Sequence, residues 1–170
     1  MRNFIVIFIF IFFSNNQLYS QELKKTYFGG GCFWCMEESF DKVEGVTNVV
    51  SGYSGGTKPN PTYKEVTYGD TGHIEVVEIT YDTKKISFEE LLNVFWKNID
   101  PFDAAGQFCD KGYSYKSIAF YLNDNQKKLI EKSIKAIEND FNNKVVTFVK
   151  NLKNFIQQRI ITKIIIKQIL

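Results

Sequence analysis

Three consecutive glycines, Gly29, Gly30 and Gly31, constrain this chain more than any other feature of its sequence. They follow a short β-type run, Thr26-Tyr27-Phe28, and precede a segment in which Phe33, Met36 and Phe40 recur as on one helix face. The pattern predicts strand, glycine turn, helix, with Cys32 at the helix start. Glycines let the backbone turn sharply and leave the sulfur uncovered. The unpaired N–H groups and partial positive charge of a helix amino terminus favour a thiolate there. Phe33 and Trp34 follow directly and offer an apolar wall suited to a small apolar group. The plainer alternative is a buried structural cysteine, and the position at a glycine turn weighs against it.

Further along, residues 51 to 72 read as a loop, carrying Gly52, Gly55, Gly56, Pro59, Pro61, Gly69 and Gly72. His73 to Tyr81 alternates as a strand, with Glu75, Val77, Ile79 and Tyr81 on one side. Ser87-Phe88-Glu89-Glu90 is a capping box opening a helix to about Asn98. Pro101 to Gly112 is irregular, and Ser117 to Leu122 is an apolar strand. Asn123, with Gln126 three residues on, starts a helix to about Asn139, and Val145 to Val149 is a last strand. Interleaving without strict βαβ spacing predicts an α+β single domain. Its central mixed sheet is expected to be flanked by helices, as a two-layer sandwich of the ferredoxin-like kind.

A chain of 170 residues, 44% apolar, can bury a core of its own. Its net charge of +2, without a Lys/Arg cluster, leaves no electrostatic footprint for nucleic acid. Residues 1–20 have the layout of a secretory signal peptide: Arg2, an apolar run from Phe4 to Phe13, and Ser20 at the cut. Export to the periplasm or beyond is the expectation, with an uncleaved anchor as the alternative. Cys32, Cys35 and Cys109 are the only cysteines. An odd number in an exported chain leaves a thiol for chemistry rather than stapling.

The run Gly29-Gly30-Gly31-Cys32-Phe33-Trp34-Cys35-Met36-Glu37 resembles the signature of the A-type methionine sulfoxide reductases. Four more blocks follow in the family's order. They are Gly52-Tyr53-Ser54-Gly55-Gly56, Pro59-Asn60-Pro61-Thr62-Tyr63, Gly72-His73-Ile74-Glu75-Val76, and Ala105 to Gly112 with Tyr115 and Ser117. The resemblance implies that Cys32 attacks the sulfoxide sulfur and that Glu75, held protonated by an apolar pocket, gives a proton to the sulfoxide oxygen. It makes Tyr63 and Tyr115 donors to that oxygen, Asp110 a supporting carboxylate, and Phe33 and Trp34 a cage for the methyl group, with the S epimer preferred. The product would be methionine and a sulfenic acid on Cys32. Cys35, one helical turn away, and Cys109, next to Asp110, are equal candidates to resolve that sulfenic acid, and direct attack by an external thiol is a third route. The implied partners are a thioredoxin-like reductant and methionine sulfoxide, free or in proteins. The chain is expected to be monomeric, without cofactor or metal, and His73 to pack a turn.

The domain is expected over residues 21–155, followed by an Ile- and Lys-rich tail, 156–170, that departs from the family's aromatic and acidic ending. A one-base slip after Phe155 is compatible with Tyr-Pro-Ala-Glu-Asp-Tyr-His-Gln-Asn-Tyr-Tyr-Lys, so a reading-frame change is expected there. The alternative is a basic helix packed on the domain or on a membrane. Two other classes compete for function. A zinc module could use three Cys and His73, but the spacing matches no common pattern. A thioredoxin-like oxidoreductase could use Cys32-Phe33-Trp34-Cys35, but the surrounding βαβ order is missing.

Overall fold

The computed structural model describes residues 21–158, so the leader at 1–20 and the tail from 159 lie outside the described residues. Six strands form one sheet in the order β7-β6-β1-β3-β2-β8. Its centre is β1 (Leu23–Gly29), β3 (Ile74–Asp82) and β2 (Val46–Ser54), paired antiparallel. β6 (Ile118–Tyr121) runs antiparallel to β1 and parallel to β7 (Phe148–Asn151), which makes the sheet mixed. β8 (Ile156–Gln157) closes the other edge against β2.

Strand alternation sends residues to two faces. Phe28, Val77, Ile79 and Tyr81 face a core completed by Met36 and Phe40 of α1 (Phe33–Asp41) and Leu91, Leu92 and Phe95 of α3 (Phe88–Lys97). Ile130 of α4 (Asp124–Phe141) joins them. Phe28 stacks on Phe95 at 4.7 Å and on Phe40 at 5.8 Å. On the opposite face Tyr27, Ile74, Val76, Ile118 and Phe120 are covered by Phe148, Leu152 and Phe155 rather than by a helix. The architecture is the expected α+β single domain with a mixed sheet, its helices on one side.

Helix α3 starts where the sequence places it, at the Ser87–Glu90 capping box. Asn123 caps α4 by accepting from the Gln126 N–H at 3.0 Å. Three stretches differ from the sequence-based expectation. Residues 51–72 are not one loop, because β2 runs to Ser54 and a short helix, α2 (Tyr63–Tyr68), follows with its own Thr62–Glu65 capping box. Gly52 reads as a loop residue, yet it sits in the strand where a Cβ would lie 2.5 Å from the Ile156 carbonyl and from the Phe155 ring. The irregular stretch 101–112 contains a hairpin, β4 (Gly106–Gln107) and β5 (Asp110–Lys111), with Phe108-Cys109 at its tip. The sheet also continues past position 155, since the Gln158 N–H donates to the Ser51 carbonyl at 3.0 Å.

Candidate active site

The glycine turn explains how Cys32 reaches the edge of the sheet. Gly29 lies in β1 where a Cβ would fall 2.5 Å from the Glu75 carbonyl, and Gly31 takes φ +78°, a conformation open to glycine. Cys32 is the N-cap of α1, and its carbonyl accepts from the Cys35 and Met36 N–H groups at 3.1 and 3.2 Å. Its thiol closes no capping bond of ordinary geometry, although the Cys35 and Trp34 N–H groups favour its ionised form. Burial outweighs them and pushes the Cys32 thiol up to about 11. The helix terminus was expected to deliver a thiolate; with half its surroundings closed, the sulfur rests as a thiol.

Glu75 stands on β3, 1% exposed, on the face that carries α1. One carboxyl oxygen, Oε2, accepts from the Phe33 N–H at 3.0 Å, which ties it to the first residue of the cysteine's helix. The other, Oε1, is buried without a hydrogen-bond partner. Burial pushes Glu75 up to about 8, the Phe33 N–H works against that, and the Asp110 charge adds to it. The carboxyl is therefore protonated at neutral pH, as the resemblance requires.

The aromatic residues converge from three elements. Phe33 lies 5.1 Å from Trp34, 5.7 Å from Tyr53 and 6.2 Å from Tyr63, and Trp34 stacks on Tyr63 at 5.9 Å. Phe33 is 1% exposed and belongs to the core, so Trp34, half-buried, offers the open part of the wall. The Tyr63 and Tyr115 hydroxyls are hydrogen-bonded to each other, and both phenols are raised by burial first and then by the neighbouring Glu75 charge. Both are therefore neutral donors. Tyr115 arrives on a short 3₁₀ turn, Tyr113–Tyr115, after the hairpin.

That hairpin completes the site. Gln107 holds it to the loop after α3: the Asp100 N–H donates to Gln107 Oε1 at 2.7 Å, and Gln107 Nε2 donates back to the Asp100 carbonyl at 2.9 Å. Lys111 pairs with Asp103 across its base. A cleft of about 320 Å³ results, lined by Gly31, Cys32, Cys35, Cys109 and Asp110 among others. All three thiols thus open on one space, and none is in a disulfide. His73 is elsewhere: Nδ1 accepts from the Gly56 N–H at 3.2 Å and Nε2 donates to the Lys58 carbonyl at 2.8 Å. It staples the 55–62 loop, in keeping with a turn-packing role. Among the described residues no three of His, Cys, Asp and Glu gather as metal ligands, and no helix is long and apolar enough to cross a membrane.

Two residues of the site carried no individual role in the sequence. Gln107 reads as an ordinary polar residue until its backbone partners are seen. Tyr53 stands in the Gly52–Gly56 block but within a stretch read as loop; the alternation Val49-Ser51-Tyr53 was the available signal.

A cysteine at a helix cap, a buried carboxyl tied to the first residue of that helix and two neighbouring tyrosine hydroxyls mark the class as a thiol-dependent oxidoreductase. The family model for peptide methionine sulfoxide reductase matches residues 24–159, and the chain belongs to that family. The peptide methionine sulfoxide reductase MsrA of Listeria innocua is 48% identical over 137 residues, covering 79% of this chain and 77% of the relative. Mxr1 of Saccharomyces cerevisiae in its reduced form superposes with TM-score 0.74 at 30% identity, covering 81% of this chain and 80% of Mxr1. The same yeast protein solved in complex with Trx2 superposes with TM-score 0.57 at 21% identity, covering 82% and 85% of the two chains.

Proposed function

We propose that this enzyme reduces methionine S-sulfoxide, free or in proteins, to methionine through a sulfenic acid on Cys32. The observation that carries the reading is the Phe33 N–H to Glu75 bond, which seats a buried carboxyl at the first turn of the nucleophile's helix. Glu75 gives its proton to the sulfoxide oxygen while the Cys32 sulfur attacks the sulfoxide sulfur. The thiol proton passes to the vacated carboxylate; the hydroxyl then moves from the substrate sulfur to the Cys32 sulfur as the newly formed S–S bond and the original S–O bond break, and methionine is released. Glu75 ends as it began, so the step needs no outside proton or electron. Tyr63 and Tyr115, neutral and joined, stabilise the oxygen as it gains charge. The Trp34 ring meets the S-methyl group, with Phe33 as its support, and Asp110 acts at the cleft wall by raising Glu75.

Sulfenic acid is then resolved by a second thiol, forming a disulfide and water. Cα atoms three residues apart on one helical turn lie about 5 Å from each other, inside the roughly 4.4–6.8 Å that a disulfide spans. Cys35 therefore needs little backbone movement and is the preferred partner, whereas Cys109 sits on a hairpin tip facing the same cleft. A thioredoxin-like dithiol protein completes the cycle, by analogy with the yeast relative solved with Trx2. Monomeric action and export, read from the leader, belong to the proposal, and size-exclusion chromatography and cell fractionation test them. The direct test is incubation with each sulfoxide epimer and dithiothreitol. The S epimer alone should be consumed, and Cys32→Ser should abolish turnover; an active Cys32→Ser overturns the reading.

A further inference from the structure

Tyr53 takes no part in the chemistry so far, yet it is the nearest cross-strand neighbour of Glu75. The two stand directly opposite each other in the β2–β3 ladder, where opposed side chains share a face with Cβ atoms about 5 Å apart. Tyr53 is 2% exposed, and its ring packs 5.7 Å from Phe33, the residue whose N–H holds the other oxygen of the same carboxyl. Its hydroxyl and Glu75 Oε1 are both buried without a hydrogen-bond partner. Orphaned buried polar atoms are rare and each costs stability. Two of them on opposed residues, one a donor and the other an acceptor once ionised, complement each other in a state that is not the resting one.

We propose that Tyr53 is a positioning residue for the acid: its hydroxyl donates to Glu75 Oε1 while that oxygen is ionised, between proton delivery to the substrate and recovery of the Cys32 proton. Tyr53 keeps its own proton throughout, donating a hydrogen bond and transferring nothing. The carboxylate formed at mid-reaction is then held by two donors, Phe33 N–H on Oε2 and Tyr53 O–H on Oε1. Tyr63 and Tyr115 remain free to serve the substrate oxygen. The phenol suits this role because burial and the Glu75 charge both raise its pKa, so it stays a donor across the working pH range.

This inference rests on Glu75 being the acid, and the test separates the two. Tyr53→Phe removes only the hydroxyl. Single-turnover release of methionine from the S epimer should slow roughly tenfold at neutral pH, the worth of one charge-assisted hydrogen bond. The high-pH limb of the rate profile should move up by about half a unit to one unit, since the carboxylate loses a donor. Thermal stability should hold or rise, because a buried orphan is gone. Infrared spectroscopy gives an activity-free reading: the protonated-carboxyl band absent from Glu75→Gln should persist to higher pH in Tyr53→Phe than in the parent. An unmoved band and limb would overturn the inference, whatever the rate does. A fully active Glu75→Gln would instead overturn the acid itself.

Discussion

At the scale of single residues, the site depends on two groups pushed the same way. Burial raises the Cys32 thiol to about 11 and the Glu75 carboxyl to about 8, so both are protonated in the resting enzyme at neutral pH. In the proposed mechanism a pre-formed thiolate therefore does not drive the attack, and the thiol proton has a destination only once Glu75 has given its own away. Activity should accordingly fall as pH rises through about 8, where Glu75 loses its proton. A profile of single-turnover rate against pH checks this, and Glu75→Gln should lose on the order of a hundredfold or more at neutral pH. Both positions were singled out in the sequence, one from the glycine turn and both from the family's blocks, and the structure brings them together through the Phe33 N–H. Their protonation was only half legible: Glu75 is protonated as expected, but the balance at Cys32 between helix N–H groups and desolvation depends on how far the surrounding rings close, which no local spacing encodes.

At the scale of elements, the strand–turn–helix unit and the hairpin beside it position the thiols. Gly30 leaves no room for a side chain, since a Cβ there would lie 2.4 Å from Ile99 Cγ2 and 3.1 Å from the Met36 sulfur. Gly30→Ala should displace the start of α1 and cut activity by at least tenfold through the lost alignment of Cys32 and Glu75. Circular dichroism and the single-turnover assay together separate this from unfolding. Phe108, at the hairpin tip with φ +46° and 67% exposed, carries Cys109 into the cleft from a strained position. Cys35→Ser should slow turnover driven by thioredoxin while leaving turnover driven by dithiothreitol largely intact, and Cys109→Ser should do much less. The reverse order would reassign the resolving thiol. Helix α3 and its cap were legible because Ser87 and Glu90 act within one turn. Strand β2 was not legible to its end, because the fit of Gly52 and Tyr53 depends on Ile156 and Phe155, about a hundred residues away.

At the scale of the whole molecule, the sheet buries a carboxyl that chemistry needs and folding does not favour. The unfolded Glu75 ionises near 4.5 and the folded one near 8, so between these values the folded chain binds the extra proton and stability falls as pH rises. Each pH unit costs roughly 1.4 kcal/mol, on the order of 5 kcal/mol across the window. The stability of Glu75→Gln minus that of the parent, from denaturant titrations, should therefore climb between pH 4.5 and 8 and then level off. A flat difference would mean the carboxyl is not buried as described. The mixed sheet and its helical face were legible from alternation and helix periodicity. The covering of its second face by Phe148, Leu152 and Phe155 was not, because only Phe148 lies in a strand read from the sequence, and Leu152 and Phe155 acquire their role only against the strands they cover.

In the proposed reaction Cys32 itself takes the oxygen from the substrate. That transfer is tested most directly in the double variant Cys35→Ser, Cys109→Ser, mixed with the S epimer of methionine sulfoxide without any reductant. The prediction is one methionine released per chain and a single sulfenic acid, trapped and located at Cys32 by mass spectrometry. Methionine formed with Cys32 unmodified, or none formed from a folded protein, would contradict it.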